Sequence, residues 1–417
     1  MNESRSSHRV IVPGSKSISN RALICAALAD SGSVIENCAP GDDTEALTTS
    51  LRELGVGIKV HGVSTSMDGR LDLSDLRQVK LNAQLGGTTS RFLTALCALR
   101  AGVSTIDGLE PLRKRPMFEL HQSLQQLGAN ISWLGQQGCL PVSVSRGASW
   151  GARLSVDASL SSQFTSSLMM IAPYMTNGLE IDLAENVVSR GYIEMTVGVM
   201  RAFGAETDFS GNTVWVSPGK YSGTSYQVEP DASSASYPLA AVAISGGEVT
   251  IKNLSRMSLQ GDVGFIDVLA EMGCQISETT NGLRLARNTD ETLIGVDVDM
   301  SQISDCVPTL AVVALFASGP TRIKGVGFIR SKESDRIGDL VFELKKLGAD
   351  ISETPDGILI KPAPLKPASL NTHNDHRLAM AFALIQREKP GVVIENPEVV
   401  SKSWPGYFSD LASFYAP

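Results

Sequence analysis

Apolar and polar positions along the chain form blocks with three different periods. Residues 307–317 show no polar face and predict a helix that is buried all round. Residues 341–347 are amphipathic with a helical period and predict a helix with one face in a core. Short half-apolar runs bounded by turn residues, such as 247–251, predict strands. Helical and strand blocks alternate throughout, which indicates an α/β fold class.

A helix-ending glycine recurs at a nearly constant spacing. It follows an apolar residue at the end of each amphipathic helix, where glycine can adopt the left-handed conformation that terminates a helix. A run with strand character follows each of these glycines, and in the last one Asp356-Gly357 predicts a hairpin turn. The five glycines lie 73, 76, 69 and 75 residues apart and are Gly55, Gly128, Gly204, Gly273 and Gly348.

Two further series of polar positions run in phase with these glycines. The first precedes six Ala- and Leu-rich helices, at Ser17, Thr88, Ser161, Asp231, Asp305 and Asn374. The second opens the following helix of each block, at Asp42, Arg115, Arg190, Gly261, Glu333 and Lys402. The chain therefore consists of six repeats of about 70 residues, each with the order strand, helix, strand, helix, hairpin. One repeat is too small to bury its own apolar faces, so several must pack together.

Composition restricts the class of protein. The 417 residues predict two to three domains, and 42% apolar residues are typical of a globular chain. A net charge of −8 argues against a broad nucleic-acid surface. No apolar stretch is long enough for a membrane span, and the first ten residues lack a secretory signal, so we expect a cytoplasmic protein. Six scattered cysteines predict free thiols, and no metal or cofactor is expected.

Basic residues stand beside many of the helix starts of this acidic chain. A helix N-terminus favours an anion, and cations at equivalent junctions predict a pocket for a multiply anionic ligand. The segment Pro13-Gly-Ser-Lys-Ser17 lacks the glycine spacing of a nucleotide-binding P-loop. The basic residues are Lys16, Arg21, Arg91, Arg115, Arg190, Lys332, Arg336, Arg377 and Lys402.

Six segments, in order and in register, resemble the 5-enolpyruvylshikimate-3-phosphate synthase family. They are residues 13–22, Arg115-Pro116, and residues 161–163, 231–237, 332–336 and 374–381. The resemblance implies a two-domain inside-out α/β barrel built from six βαβαββ repeats, three per domain. It also implies that the first domain is discontinuous, with residues 1–13 and 229–417 in one domain and 14–228 in the other. The active site is then expected in the cleft between them.

The same resemblance implies a reaction. The family transfers the enolpyruvyl group of phosphoenolpyruvate to the 5-hydroxyl of shikimate 3-phosphate and releases phosphate through a tetrahedral intermediate, a step of aromatic amino acid biosynthesis. The residues implied for shikimate 3-phosphate are Lys16, Ser17, Arg21, Ser161, Ser162, Gln163, Ser189, Tyr192, Asp305 and Lys332. Those implied for phosphoenolpyruvate are Lys16, Gly87, Arg115, Gln163, Arg336, Arg377 and Lys402.

Proton transfer requires a base for the hydroxyl and an acid for the methylene carbon. We expect Asp305 to take the hydroxyl proton, and Lys16 and Glu333 to handle protons at the phosphoenolpyruvate end. Three positions depart from the common family pattern, namely Leu85, Phe92 and Phe328. Gly87 is retained, so we expect micromolar inhibition by glyphosate in competition with phosphoenolpyruvate.

Two alternatives remain at this point. The sister transferase that acts on UDP-N-acetylglucosamine has a Lys-Asn pair and a loop cysteine, whereas this chain has Lys16-Ser17 and no cysteine in residues 112–120. A non-catalytic repeat protein used for binding is the second alternative. The expected partners are the two small substrates alone, with no nucleic acid or membrane, and the expected state is a monomer. Phosphate release that requires both substrates distinguishes the transferase from both alternatives.

Overall fold

The structure, a computed structural model, describes residues 7–148, 150–157, 161–184 and 189–414. The chain divides into two compact units. The discontinuous unit comprises Met1–Pro13 and Glu229–Pro417, and the continuous unit comprises Gly14–Val228. Residues 1–6 of the predicted first domain lie outside the described ranges. Within those ranges, no helix combines the length and the apolar character needed to cross a membrane.

Short strands and longer helices alternate up to residue 228. The strands are β1 (Ser7–Val10), β2 (Ser33–Glu36), β3 (Ile58–His61), β4 (Ser64–Met67), β5 (Val79–Asn82), β6 (Ser104–Asp107), β7 (Asn130–Trp133), β8 (Val142–Ser145), β9 (Arg153–Val156), β10 (Leu179–Leu183), β11 (Thr207–Ser210), β12 (Thr213–Val216) and β13 (Ser225–Gln227). The helices are α1 (Lys16–Leu28), α2 (Asp42–Glu53), α3 (Gly87–Ala98), α4 (Glu110–Arg113), α5 (Phe118–Gln126), α6 (Ser162–Ile171) and α7 (Arg190–Ala202).

The same alternation continues after residue 228. The strands are β14 (Gly247–Lys252), β15 (Gln275–Thr279), β16 (Gly282–Arg287), β17 (Asp297–Asp299), β18 (Thr321–Lys324), β19 (Asp350–Thr354), β20 (Gly357–Lys361), β21 (Ser369–Asn371) and β22 (Val393–Glu395). The helices are α8 (Ala232–Ser245), α9 (Phe265–Glu271), α10 (Val307–Ala314), α11 (Gly338–Lys346), α12 (His376–Glu388) and α13 (Tyr407–Phe414). Several helices are preceded by a 3-10 turn.

The sheets repeat one topology. In the sheet ordered β5-β6-β8-β7, β5 and β6 are parallel, and β8 is antiparallel to both β6 and β7. The four-stranded sheets β13-β2-β4-β3, β9-β10-β12-β11, β1-β14-β16-β15 and β17-β18-β20-β19 follow the same order. Helices that connect parallel strands give the βαβαββ repeat, as the sequence periodicity predicts. The sixth repeat differs, because its described residues form a sheet of β21 and β22 alone, without the predicted hairpin.

Two strands each pair in one unit, although the helix that follows each of them in the chain belongs to the other unit. β1 directly precedes α1 of the continuous unit, yet it pairs in parallel with β14 of the discontinuous unit. β13 directly precedes α8 of the discontinuous unit, yet it pairs in parallel with β2 of the continuous unit. Each unit therefore completes one of its sheets with a strand that is distant in sequence.

In each unit, the first helices of the three repeats pack together in the core. α1, α3 and α6 pack on one another in the continuous unit, and α8, α10 and α12 do so in the discontinuous unit. Every residue of α10 is buried, as its continuous apolar pattern predicts. The first turns of neighbouring helices also touch, since the Ser236 and Thr309 hydroxyls share a hydrogen bond of 3.1 Å. The starts of these helices therefore bring their polar residues together.

The helix-ending glycines are confirmed, and some helix starts are corrected. All five repeat glycines have positive φ angles, between +84° and +104°. α5, α11 and α13 begin three to five residues after the predicted positions Arg115, Glu333 and Lys402. Before α11, Asp335 Oδ1 accepts hydrogen bonds from the backbone N–H groups two and three residues later, at 3.1 and 2.9 Å, so a turn held by this side chain precedes the helix. The six cysteines are free and buried, as predicted.

Candidate functional site

A buried arginine organises the charged side chains of the discontinuous unit. Arg336 is 1% exposed, and its Nε donates to Asp375 Oδ2 at 2.6 Å. Its Nη1 donates to Asp305 Oδ1 at 2.9 Å, and its Nη2 donates to Glu333 Oε2 at 2.8 Å. Three carboxylates from three segments therefore surround one guanidinium. We call the set of Asp305, Glu333, Arg336, Asp375, Arg377 and Lys402 the Arg336 network.

Helix starts position the members of this network. Asp305 lies in a 3-10 turn, Ser304–Cys306, immediately before α10. Asp375 is the N-cap of α12, and its Oδ1 accepts a hydrogen bond from the Arg377 N–H at 2.9 Å. Lys402 ends the 3-10 turn Pro397–Lys402. Because the three repeats of the unit pack through their helix starts, residues far apart in sequence meet here.

Asp305 is ionised in this environment. Burial opposes its charge, but Arg377 and Arg336, together with Lys332, outweigh that effect and hold the pKa of the carboxyl group well below its usual value. The Arg377 Nη2 donates to Asp305 Oδ2 at 2.6 Å. Burial also opposes the charge of Arg336, but Asp375, Glu333 and Asp305 outweigh it and raise the guanidinium pKa. Both groups keep their charge at neutral pH.

Two lysines complete the positive side of this group. Lys402 is 6% exposed, and its Nζ donates to Glu333 Oε1 at 3.2 Å. The Lys332 Nζ lies 5.7 Å from the centre of the Phe328 ring, within the range of a cation–π contact. Phe328, in the 3-10 turn Gly327–Ser331, is therefore an aromatic neighbour of Lys332.

A further buried carboxyl group lies near the network. Asp262 precedes α9 and accepts a hydrogen bond from the Ser233 hydroxyl of α8. Burial raises its pKa, and the Asp305 carboxylate raises it further, while Arg377 lowers it. The folded protein therefore disfavours the ionised form of the Asp262 carboxyl group, whereas it favours the ionised form of Asp305. The two carboxyl groups differ because the cations contact Asp305 directly.

The continuous unit holds the other predicted residues, starting with Lys16. Lys16 is the first residue of α1, and its Nζ forms an ion pair with Asp43 Oδ2 at 2.9 Å. Ser15 caps the helix through its hydroxyl, which accepts from the Ile18 N–H at 3.5 Å. Asp43 lies in the first turn of α2, and its carbonyl oxygen accepts from the Thr89 hydroxyl at 2.9 Å. The helix starts of the first two repeats therefore meet at Lys16.

Arg21 is a fully buried cation whose partners are neutral. Its guanidinium donates to the Thr196 and Ser166 hydroxyls at 2.7 and 3.0 Å, and to the carbonyl oxygens of Ser17 and Tyr192 at 2.9 and 3.3 Å. Burial lowers its pKa to about 10. Among the described residues no carboxylate forms a salt bridge with it. A buried charge without a counter-ion is costly, so this position suits an anionic ligand group.

The aromatic ring of Phe92 lies beside this cation. The Arg21 Cζ is 5.3 Å from the centre of the Phe92 ring and 5.9 Å from the centre of the Tyr192 ring. Phe92 belongs to α3 and is itself buried. Aromatic rings stabilise a desolvated guanidinium, so the phenylalanine contributes to holding Arg21 in place.

Gly87 and two arginines stand at the start of α3. Gly87 is the first residue of the helix, and a Cβ atom added there would lie 2.6 Å from the Arg115 Nη1. The Arg91 Nη1 donates to the Gln163 Oε1, so Gln163 of α6 is held by a neighbouring helix. Arg91 Cζ also lies 5.1 Å from the centre of the Phe164 ring. The absence of a side chain at position 87 is what allows Arg115 to lie against the backbone.

The predicted serine residues lie at two further helix starts. Ser161 is the N-cap of α6, where its hydroxyl accepts from the Gln163 N–H at 3.3 Å, and Ser162 opens the helix. Ser189 has a φ angle of +53° and precedes α7, and its carbonyl oxygen accepts from the Tyr192 N–H at 3.0 Å. All three serine side chains are buried, so these helix starts are held in place by the unit.

The structure brings the predicted residues together in two sets, one in each unit. Five predicted residues belong to the Arg336 network, with Lys332 beside them, and the rest lie at helix starts of the continuous unit. The predictions missed Asp43, Asp262 and Asp375. Asp43 and Asp262 stand in the series of second-helix starts, and Asp375 stands in the motif Asn374–Arg377, so position in the repeat is the signal that finds them. No three His, Cys, Asp or Glu side chains in the described ranges are grouped as metal ligands.

A family model and two similar proteins all have the same family description. The model of the family "EPSP synthase (3-phosphoshikimate 1-carboxyvinyltransferase)" matches residues 2–411. A 3-phosphoshikimate 1-carboxyvinyltransferase of Nostoc punctiforme is 40% identical over 404 residues, which are 96% of this chain and 94% of that protein. One from Methanosphaerula palustris is 39% identical over 412 residues, which are 96% of this chain and 95% of that protein.

A solved structure shares the fold along nearly the whole chain. An EPSP synthase from Acinetobacter baumannii aligns with a TM-score of 0.81 and 25% sequence identity. The alignment covers 98% of this chain and 96% of that one. The five four-stranded mixed sheets and the two-stranded sheet described above are consistent with the repeated units of that fold.

Proposed function

Because the chain belongs to the EPSP synthase (3-phosphoshikimate 1-carboxyvinyltransferase) family and transfers the enolpyruvyl group of phosphoenolpyruvate to shikimate 3-phosphate, we propose a division of that reaction among its residues. The Arg336 network is the observation that carries the proposal. Its three cations and Asp375 are buried, and Asp305 and Glu333 are half-buried beside them, so an anionic substrate that binds the cations changes the charge balance of the carboxylates.

Phosphoenolpyruvate binds through cations that repeat at the helix starts. The residues we assign to it are Lys16, Gly87, Arg115, Gln163, Arg336, Arg377 and Lys402. In the free protein Arg377 and Lys402 contact carboxylates, at 2.6 and 3.2 Å. A phosphate or carboxylate group of the substrate offers Arg377 two oxygen acceptors in bidentate geometry and offers Lys402 a further acceptor for its ammonium group. Gly87 leaves room for Arg115 to present its guanidinium.

Shikimate 3-phosphate binds through one carboxylate site and one phosphate site. The buried, uncompensated charge of Arg21 supports the assignment of the ring carboxylate to that residue, with Ser17 and Tyr192 beside it. The phosphate is assigned to Ser161, Ser162 and Ser189, because hydroxyl groups and free N–H groups at a helix N-terminus bind phosphate. The remaining assigned residues are Lys16, Gln163, Asp305 and Lys332.

Asp305 is the proposed base for the 5-hydroxyl group. It removes the hydroxyl proton while the oxygen attacks C2 of phosphoenolpyruvate, and Lys16 or Glu333 delivers a proton to C3. The product is a tetrahedral ketal phosphate. Loss of a proton from the new methyl group, together with departure of phosphate, then forms the enolpyruvyl ether. Cations of the network stabilise the charge on the departing phosphate.

Substrate binding itself tunes this base. In the free protein Arg377 and Arg336 hold the pKa of Asp305 below its usual value, which makes the carboxylate a weak base. When phosphoenolpyruvate engages those guanidinium groups, part of their charge is neutralised, and the pKa of Asp305 rises. Asp305 then becomes a stronger base only when the second substrate is bound.

We also propose that the protein acts as a monomer in the cytoplasm and that residues of both units bind the substrates. The free state of all six cysteines supports a reducing compartment. The residues assigned to the two substrates come from both units.

Phosphate release from the purified protein tests the reaction. We expect release when shikimate 3-phosphate and phosphoenolpyruvate are both present, and none with either substrate alone. Release with UDP-N-acetylglucosamine in place of shikimate 3-phosphate, or silence with both acceptors, would contradict the proposal.

A further inference from the structure

The turn before α12 carries a histidine that the proposed chemistry does not use. His373 and Asn374 have φ angles of +48° and +57°. The Asp375 N–H donates to the Thr372 carbonyl oxygen across them at 2.8 Å. Positive φ at both central residues is the conformation of a mirror-image β-turn, which favours glycine and asparagine. Histidine is therefore not the residue that the turn conformation alone favours.

The imidazole ring of His373 is tied to α11 by two carboxylates. Its Nε2 lies 2.9 Å from Glu343 Oε1, and its Nδ1 lies 3.4 Å from Asp339 Oδ1. Glu343 is fully buried, and its Oε2 also accepts from Lys346 Nζ at 2.7 Å and from the Asn371 N–H at 2.8 Å. A single buried carboxylate thus holds both the side chain of the turn and the strand that leads into it.

The turn leads directly into the Arg336 network. Asp375 follows the turn and contacts Arg336 with both carboxylate oxygens, at 2.6 and 3.2 Å. Arg377 lies two residues further and contacts Asp305 at 2.6 Å. A shift of the turn relative to α11 therefore moves the groups that hold both guanidinium groups of the network.

We propose that His373 is a positioning residue for phosphoenolpyruvate binding. By tying the turn to α11, it keeps Asp375 and Arg377 where they set the positions of the two guanidinium groups. This inference rests on the proposed function in one respect, the assignment of Arg336 and Arg377 to phosphoenolpyruvate. His373 itself touches neither substrate nor reacting atoms in this proposal.

Two substitutions separate this role from a purely conformational one. His373→Gly suits the positive φ angle better than histidine and removes both carboxylate contacts. If the residue only shapes the turn, the glycine variant keeps its affinity for phosphoenolpyruvate. His373→Gln keeps a side-chain amide that can reach Glu343 or Asp339, and it serves as the conservative variant.

The experiment is steady-state kinetics with each substrate varied, together with a thermal unfolding curve for each variant. For His373→Gly we expect the KM for phosphoenolpyruvate to rise about tenfold, because the contact that is lost is a hydrogen bond to a charged group. The KM for shikimate 3-phosphate stays within about twofold, and His373→Gln recovers most of the loss. His61, exposed at the end of β3 in the continuous unit, provides the matched control His61→Ala, which we expect to leave all constants unchanged.

Arg377→Lys distinguishes failure of this inference from failure of the proposed function. If Arg377→Lys raises the KM for phosphoenolpyruvate and His373→Gly does not, the role of His373 is overturned and the proposed function stands. If neither variant changes that KM, the substrate assignment is wrong and the inference falls with it. Should His373→Gly fail to fold, Asp339→Asn weakens one of the two ring contacts at a half-exposed position. A KM for phosphoenolpyruvate unchanged in both Asp339→Asn and His373→Gln would then overturn the inference.

Discussion

Gly87 has no space for a side chain while Arg115 lies in its present position. An added Cβ would be 2.6 Å from Nη1 and 2.9 Å from Cζ of Arg115, closer than atoms of that kind approach. The guanidinium is the far end of a flexible side chain, so Gly87→Ala displaces Arg115 and leaves the fold intact. We expect the KM for phosphoenolpyruvate, and the inhibition constant for glyphosate, to rise about tenfold or more, as misplacement of a binding group does.

The control for this prediction is Gly219→Ala. No atom lies within 4 Å of a Cβ added at Gly219, so that variant keeps wild-type constants. Gly87→Ala with an unchanged KM would show that Arg115 does not bind phosphoenolpyruvate.

Asp262 gives the protein a pH-dependent stability. Burial and the nearby Asp305 carboxylate raise its pKa in the folded state above the unfolded value. The stability associated with this group is therefore fully present below the unfolded pKa and is lost as the pH rises through the folded pKa. Asp262→Asn removes that loss, so we expect the variant to be more stable than the wild type by about 1–3 kcal/mol at pH 8, with a smaller difference at pH 5.

Urea unfolding of both proteins at the two pH values measures this difference. Asp267→Asn, on the exposed side of α9, is the matched control, and we expect it to change stability by less than about 0.5 kcal/mol at either pH. A variant that is equally stabilised at pH 5 and pH 8 would mean that Asp262 keeps an ordinary pKa in the folded state.

The sequence could identify the site residues that stand at helix starts in the repeats. Lys16 and Asp305 stand at helix starts, and the family resemblance implies both as site residues. Asp375 was missed because it also caps α12, and a cap gives the same sequence signal as an ion-pair partner. Its contact with Arg336 joins residues 39 positions apart, which periodicity alone does not reveal.

Helix ends are the elements that the sequence predicts best. The first five repeats each place a glycine after the second helix because the chain must leave the helix in a left-handed conformation. Gly273 is the simplest case, since its φ angle is +104° and the nearest atom to an added Cβ is 3.7 Å away. Gly273→Ala therefore introduces conformational strain without a clash, and we expect it to lower the free energy of unfolding by about 1 kcal/mol.

Chemical denaturation of Gly273→Ala, with Gly219→Ala as the control, measures this cost. Gly219 has no positive φ angle, so its variant is expected to lose no stability. Equal stability of the two variants would show that the left-handed helix end is not what makes glycine necessary at position 273.

Helix starts were predicted less well than helix ends. α5, α11 and α13 begin after the polar residues that mark their repeats, because turns and side-chain caps intervene. In the last repeat the pattern predicts a hairpin, whereas the described residues after β22 form a 3-10 turn and α13. A period derived from five repeats therefore does not determine the sixth.

The exchange of β1 and β13 is a property of the whole molecule. Each strand is close in sequence to a helix of one unit and completes a sheet of the other. Periodicity predicts that a strand precedes each first helix, but it contains no information about pairing between strands more than 180 residues apart. The discontinuous domain was expected from the family resemblance alone.

Hydrogen–deuterium exchange measured by mass spectrometry tests this pairing of β1 with β14 and of β13 with β2. Backbone N–H groups of β1 are expected to open together with β14, and those of β13 together with β2, because each strand shares the stability of its sheet. A substitution that destabilises the discontinuous unit, measured without ligand, should therefore increase the hydrogen-exchange rate of the backbone N–H groups of β1. The N–H groups of α1 should keep their slow exchange. Joint opening of β1 with α1 would contradict the pairing.

We propose that Asp305, a half-buried carboxylate held ionised by arginines, removes the hydroxyl proton. The most direct measurement is the kcat of Asp305→Asn, with shikimate 3-phosphate affinity measured by calorimetry and Asp297→Asn, an exposed carboxylate of β17, as the control. We predict a fall in kcat of about 100-fold or more, as removal of a general base produces, with the fold preserved and with a much smaller change in affinity for shikimate 3-phosphate, because asparagine keeps an oxygen that accepts hydrogen bonds. A turnover within about threefold of the wild-type value would contradict the account.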